Sequence, residues 1–404
     1  MPARTLTHIQ QQPSASAFAD QVFGSLPRAD QRHWGRAYVM ALLATEGKKT
    51  VRRLASTVSD SATASQSMHQ FVNASPWEWM PARAELARWV AAQLAPQAWV
   101  LDVAVLRKRG EHSCGVHRRF LPEAGRSVNC QVGVGAFLAG SVRASGNAAA
   151  VPVDWRLLLN GSWAEDPQRR ARARIPAAAG PKPIEQHALD LVDAGLGGPR
   201  LGALPVVADL SGHAGTSTLL RELVRRGRDF VVAVPGAMPV LPAEMARGGG
   251  GRPPGTVLPP AADGAAAVPV AALTCLGPSP YDTHSCERRG SSTRRPAVLS
   301  GLVQLPGVRP PLQRVHRLVA LRYAHSRSAP RLWLTNLVHR RPEELLALAA
   351  LAPRAGAATR RMEDDFGLLD FEGRSYPGWH HHMTLVSAAH AYGSLGHDRL
   401  SAAA

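Results

Sequence analysis

The stretch AWVLDVAVLRK, residues 98–108, sets an acidic residue, Asp102, in the middle of an apolar, β-branched run. A carboxylate on a buried strand is costly to desolvate unless it is paired or bound to a metal. The run therefore constrains both the fold and the chemistry around it. Two further runs, SVNCQVGVGAFLAG and VPVDWRLLLN, follow with alternation and Gly-rich or charged turns, so three strands come first. After them PKPIEQHALDLVDAGL has a helical period, and LPVVADLSGHAG reads as a buried strand ending in a second acid, Asp209. TSTLLRELVRRG then reads as a helix and DFVVAVPG as another strand. Strands followed by strand–helix–strand indicate an α/β domain with a mixed sheet and flanking helices.

Residues 18–95 are expected to be helical. RADQRHWGRAYVMALLATEG spaces Trp34, Tyr38, Leu42 and Leu43 for one helix face, with Gly47 ending it. KKTVRRLASTVSDSATASQSMHQFVNAS gives two short helices around a polar break, the first carrying Lys48, Lys49, Arg52 and Arg53. That arrangement suits a helix-turn-helix or an ordinary helical hairpin with a solvated basic face. Residues 1–17 are expected to be loose, 96–236 to form the first part of the α/β domain, and 237–313 to be an insertion with Gly/Pro/Arg-rich loops. HRLVALRYA and RLWLTNL return to strand within 314–395, before a helical segment broken near Pro353–Gly356, and 396–404 is a tail.

The chain of 404 residues carries a net charge of +17, most of it from arginine. That balance favours a polyanionic partner, nucleic acid first and an anionic membrane surface second. With 45% hydrophobic residues, wholesale disorder is excluded. No stretch reaches the length of a membrane span, and the N-terminus lacks the apolar segment of a signal peptide. Cys114, Cys130, Cys275 and Cys286 are scattered without zinc-like spacing, which fits a reducing cytosol. Two buried-strand carboxylates in so basic a chain point to a divalent-metal site acting on phosphodiesters, against the plainer reading of an Asp capping a turn or pairing with an Arg.

Near the C-terminus, FEGRSYPGWHHHMTLV brings a Phe, a Tyr, a Trp and the run His380–His382 into one block. Adjacent residues on a helix point about 100° apart, so three consecutive His cannot chelate one ion. One is expected to face the core and the others solvent or phosphate. Glu111, His112 and His117 fall in a basic hairpin suited to a DNA backbone.

Taken in order, WVLDVAVLRKRGEHSCGVHRRF, VNCQVGVGAFLA, VPVDWRLLLNGSWAEDPQRR, VVADLSGHAG, RDFVVAVPG, RLWLTNL and FEGRSYPGWHHHMTLVSAAHAY resemble the DDE transposases of bacterial insertion sequences, the DDE superfamily endonuclease group. The resemblance runs from about residue 18 to 393. It implies a ribonuclease-H-like fold, an N-terminal helical DNA-binding region, a β-rich insertion before the final helix, and two Asp and one Glu holding two Mg²⁺ (or Mn²⁺) ions. It also implies duplex DNA at element ends as partner, a homodimer on DNA, and a bacterial, cytoplasmic, nucleoid-associated location. Asp102 falls on the first acid and Asp209 on the second. The usual Asp-Asp-Thr is here Asp102-Val103-Ala104, and the usual Ala-Gly-Tyr-Gly is Leu210-Ser211-Gly212-His213. The Glu position falls on Gly356, and the family's Lys seven residues later falls on Glu363. The expectation is a transposase-family DNA-binding protein with impaired or lost strand cleavage. The alternatives are an active enzyme using Glu363 as a displaced third acid, or a basic nucleic-acid-binding regulator. The expected nucleic-acid contacts are Lys48, Lys49, Arg52, Arg53, Arg107, Lys108, Arg109, Arg118, Arg119 and Arg374.

Overall fold

The computed structural model describes residues 14–242, 267–273, 297–308, 314–322 and 330–396. Five helices come first: α1 (Ala15–Phe23), α2 (Ala29–Ala44), α3 (Val51–Val58), α4 (Ala64–Asn73) and α5 (Trp79–Gln93). The Oγ of Ser14 caps α1 by accepting from the Ala17 amide, so the helix starts three residues before the expected boundary. Next come β1 (Leu94–Arg107), β2 (His117–Leu121), β3 (Arg126–Val142) and β4 (Ala148–Leu157). Short helices α6 (Ser162–Glu165) and α7 (Pro167–Arg172) lead to α8 (Ile184–Asp193) and α9 (Pro199–Gly202). The chain continues through β5 (Val206–Asp209), α10 (Thr216–Arg225), β6 (Phe230–Val234) and β7 (Pro239–Pro242). After β8 (Val268–Pro269) and α11 (Val270–Leu273) come β9 (Ala297–Gln304), β10 (Val315–Arg322) and β11 (Leu332–Thr335), then α12 (Pro342–Ala349), α13 (Ala352–Phe366) and α14 (Tyr376–Leu395). The Gly/Pro/Arg-rich loops expected within 237–313, and the tail beyond 396, fall largely outside the described residues.

β3 is antiparallel to β1 and carries both β2 and β4 on its other edge, while β5 and then β6 add in parallel on the far side of β1. The order β4-β3-β1-β5-β6 is the ribonuclease-H-like sheet, with its first three strands antiparallel and the last two parallel. β11, β10, β9 and β7 extend it antiparallel beyond β6, so the described part of the insertion joins the same sheet.

Side chains alternate across β1. Leu101 lines a small cavity with Leu191 and Val192 of α8, so Asp102 points to the opposite face, against α13. Helices thus cover both faces, which keeps the central strands apolar throughout.

The N-terminal helices are fastened to the sheet by a charged network rather than apolar contacts alone. Arg83 of α5 is fully buried and its Nη1 donates to Asp154 of β4 at 2.6 Å. Its Nε donates to Thr384 Oγ1 at 2.8 Å and its Nη2 to the His380 carbonyl at 2.9 Å, both on α14. Arg156 supplies a second guanidinium to Asp154. Breaking such a buried pair costs about 3–5 kcal/mol because the remaining charge is left uncompensated.

The histidine run is where the sequence reading needs correction. His380, His381 and His382 are all buried, none facing solvent or phosphate. His380 stacks on Trp79 and accepts from Arg83 at Nδ1, His381 stacks on Trp77, and His382 stacks on Phe371. Burial holds all three imidazoles neutral, with His381 pushed down to about 4 and His382 to about 3. The run is a packing surface where α14 meets the helical layer.

Candidate active site and basic groove

β1 and β5 run parallel with Leu101 beside Ala208, so one further step of that register puts Asp102 and Asp209 side by side. Burial pushes the Asp102 carboxyl up to about 6, helped by the Asp209 charge and opposed by the Val103 backbone and Arg360. Ser211 Oγ donates to Asp209 Oδ1 at 2.8 Å, and Arg331, just ahead of β11, pairs with Asp209 Oδ2.

The third acid of such a centre would come from α13. Pro353 does not interrupt this helix, as the sequence suggested, but lies in its first turn, where a missing N–H costs nothing. The break falls at 350–351, and Gly356 lies within a continuous helix closed by Gly367 in the left-handed conformation at φ 69°. A Cβ placed on Gly356 would stand 3.7 Å from Asp102 Oδ2 and 3.7 Å from Nη1 of Arg360, one turn further on. The position facing the dyad is therefore occupied by a residue without a side chain, and an arginine leans over the gap.

Glu363 is half-buried, and the charges acting on its raised carboxyl are Asp364, Arg107 and Arg360. It lies seven residues along α13 from Gly356, about 10 Å at the helical rise, toward the Arg107 end of β1. Among the described residues no three His, Cys, Asp or Glu side chains are grouped to hold an ion. Two divalent ions about 4 Å apart repel by about 16 kcal/mol at an effective dielectric of ~20. Asp102, Asp209, Arg331 and Arg360 sum to no net charge, so these four residues do not fit a two-ion centre. The Arg331 contribution is small, since that side chain is 60% exposed and a surface pair is worth about 0–1 kcal/mol.

A groove of about 620 Å³ collects cations from distant parts of the chain: Lys48, Arg107, Arg109, Arg126 and Arg374, with Lys108 behind them. Arg126 was not singled out in the sequence. Its position at the start of β3, opposite Leu121, is what turns it toward the groove. Two expected phosphate contacts are turned inward. Lys49 is buried with its ammonium on the Thr45 carbonyl, and Lys108 donates to the carbonyls of Leu369 and Phe371. Burial pushes Lys108 down to about 8. Arg52 and Arg53 lie on α3, where Arg53 donates to the Glu46 carbonyl at 2.9 Å, and Arg118 and Arg119 lie on β2. A second groove of about 480 Å³ contains Glu111, His117, Arg118 and Trp163, the last with Arg169 stacked 3.8 Å over its ring.

The family described as DDE superfamily endonuclease matches residues 21–292, about two-thirds of the chain. The protein belongs to this family. The match includes the helical layer, both acids and the ribonuclease-H-like strands β1 to β6, and it ends before α13 and Gly356. Among curated proteins no relative matches the chain. DNA is the substrate suggested by membership in a family of DDE endonucleases, and its enzymes typically work with divalent metal ions. Among the described residues no helix is long and apolar enough to cross a membrane.

Proposed function

We propose that this DDE endonuclease binds duplex DNA through its basic groove but has impaired or lost strand cleavage and transfer. The observation that supports this most is the absence of a side chain at Gly356, in contact range of Asp102. In this reading Asp102 and Asp209 are the first two acids of a former metal-binding triad, and Gly356 stands where the third belonged. Arg360, with a small contribution from the exposed Arg331, now supplies positive charge where Mg²⁺ or Mn²⁺ ions would have brought it. Lys48, Arg107, Arg109, Arg126 and Arg374 bind phosphates as DNA-backbone contacts.

Labelled duplexes test both halves. Affinity should fall steeply with salt, because each neutralised phosphate releases counterions. No cleavage should develop in Mg²⁺ or Mn²⁺. Cleavage that vanishes in both Asp102→Ala and Asp209→Ala would overturn the catalytic half. If it also vanished in Glu363→Gln, Glu363 would be a displaced third acid. Binding that is flat with salt would overturn the DNA half.

A further inference from the structure

Nearly every large apolar side chain among the described residues is covered. The exception is Phe120, 59% exposed, on β2. β2 and β3 form a hairpin held by a turn of 3-10 helix at Pro122–Ala124 and by Gly125 in the left-handed conformation, φ 61°. In the hairpin register Phe120 lies opposite Ser127 and Arg118 opposite Asn129, all four on one face. Ser127 is too small to cover the ring. Arg126, opposite Leu121, stands exposed at the turn on the other face together with Arg119, whose charge acts on His213 four residues past Asp209. The hairpin therefore carries an exposed aromatic ring with Arg118 on its own face and Arg119 and Arg126 on the other, and it sets that ring, opposite Ser127, along β3 from Gly135, the strand partner of Asp102.

An uncovered ring among cations is poorly suited to a protein partner's apolar surface, and the charge selects a polyanion. Every nucleobase offers a π-face, and stacking on an aromatic side chain binds bases that are not paired within a duplex. We propose that Phe120 is a base-stacking contact for an unpaired or splayed base of DNA bound along this hairpin, with Arg118 on a flanking phosphate. This rests on the DNA-binding reading above and adds a base contact to it.

The test uses the full chain with a DNA duplex ending in a single-stranded overhang that contains the fluorescent base aminopurine, beside a blunt duplex of the same sequence. Phe120→Ala should weaken overhang binding about tenfold. It should leave the salt slope unchanged, since no charge is removed. It should also abolish aminopurine quenching, while Phe120→Trp retains both. Blunt duplex should bind Phe120→Ala as it binds the natural chain. Overhang binding and quenching unaffected by Phe120→Ala would overturn the proposal. So would an equal loss on blunt duplex, or a loss of self-association without DNA, which would make Phe120 a contact between copies. If the natural chain failed to bind either DNA, the DNA-binding reading itself would fall with it. Phe120 is exposed, so an unchanged melting temperature checks that the variant is folded.

Discussion

On the proposed reading, a carboxylate placed at Gly356 should create divalent-ion binding beside Asp102. A Cβ there meets Asp102 Oδ2 and Arg360 Nη1 at 3.7 Å, ordinary contact distances, so the substitution needs no backbone shift. Gly356 lies inside α13, and replacing a helical glycine relieves about 0.5–1 kcal/mol of entropy cost. Gly356→Ala should therefore be neutral or stabilising. Gly356→Glu adds a charge whose attraction to a divalent ion about 4 Å away is about 8 kcal/mol at an effective dielectric of ~20, before desolvation. Even a small remainder is measurable. An ion at about 100 times its dissociation constant stabilises the folded state by about 2.7 kcal/mol, roughly a 3–5 °C rise in melting temperature. Thermal melts with rising Mn²⁺ should show that rise for Gly356→Glu and none for the natural chain or Gly356→Ala. It should be lost again when Asp102→Asn is added. A natural chain that gains as much, or a Gly356→Glu variant that gains nothing, would refute the reasoning.

Asp102 is raised from 3.8 to about 6, so the folded state holds its proton more tightly and this group's penalty grows as pH rises from about 4 to about 6. Asp102→Asn should therefore stabilise the protein by about 3 kcal/mol at neutral pH and little near pH ~4, read from denaturant melts at both. His390 is lowered from 6.5 to about 3, the opposite sign, so stability is lost as pH falls below about 6.5. Its loss at pH ~5 is about 2 kcal/mol, and His390→Leu should remove that share while the shares of His380, His381 and His382 remain. Asp154→Ala, which strands Arg83 in the core, should cost about 3–5 kcal/mol. Adding Arg83→Met should recover most of it. In the groove, Lys48→Ala with Arg109→Ala should reduce the salt slope of DNA binding by about 2, without changing sequence preference.

The sheet was legible in the sequence because β1, β3 and β4 are long apolar runs containing valine, and a carboxylate inside such a run calls for a charged or metal partner. Gly356 was singled out in the sequence, and α13 sets it against Asp102. What the sequence could not supply was cross-chain geometry. Pro353 reads as a breaker unless its place in the first turn is known. Arg331 reaches Asp209 only because β11 lies two strands away, across β6. The groove joins Lys48, Arg107 and Arg374, whose separation along the chain hides them from one another. The His run was misread for a related reason. Helical geometry rules out joint chelation, but it does not reveal that α5, the loop before α5 and the loop before α14 enclose the helix on several sides, so that all three rings stack on aromatics.

The central claim is that two acids without a third do not hold a pair of metal ions. Manganese bound per natural chain, counted by electron paramagnetic resonance on the intact protein, measures this directly. The account predicts no stoichiometric uptake and no spin-coupled pair. Two coupled Mn²⁺ ions per chain, lost in Asp102→Asn and in Asp209→Asn, would contradict it.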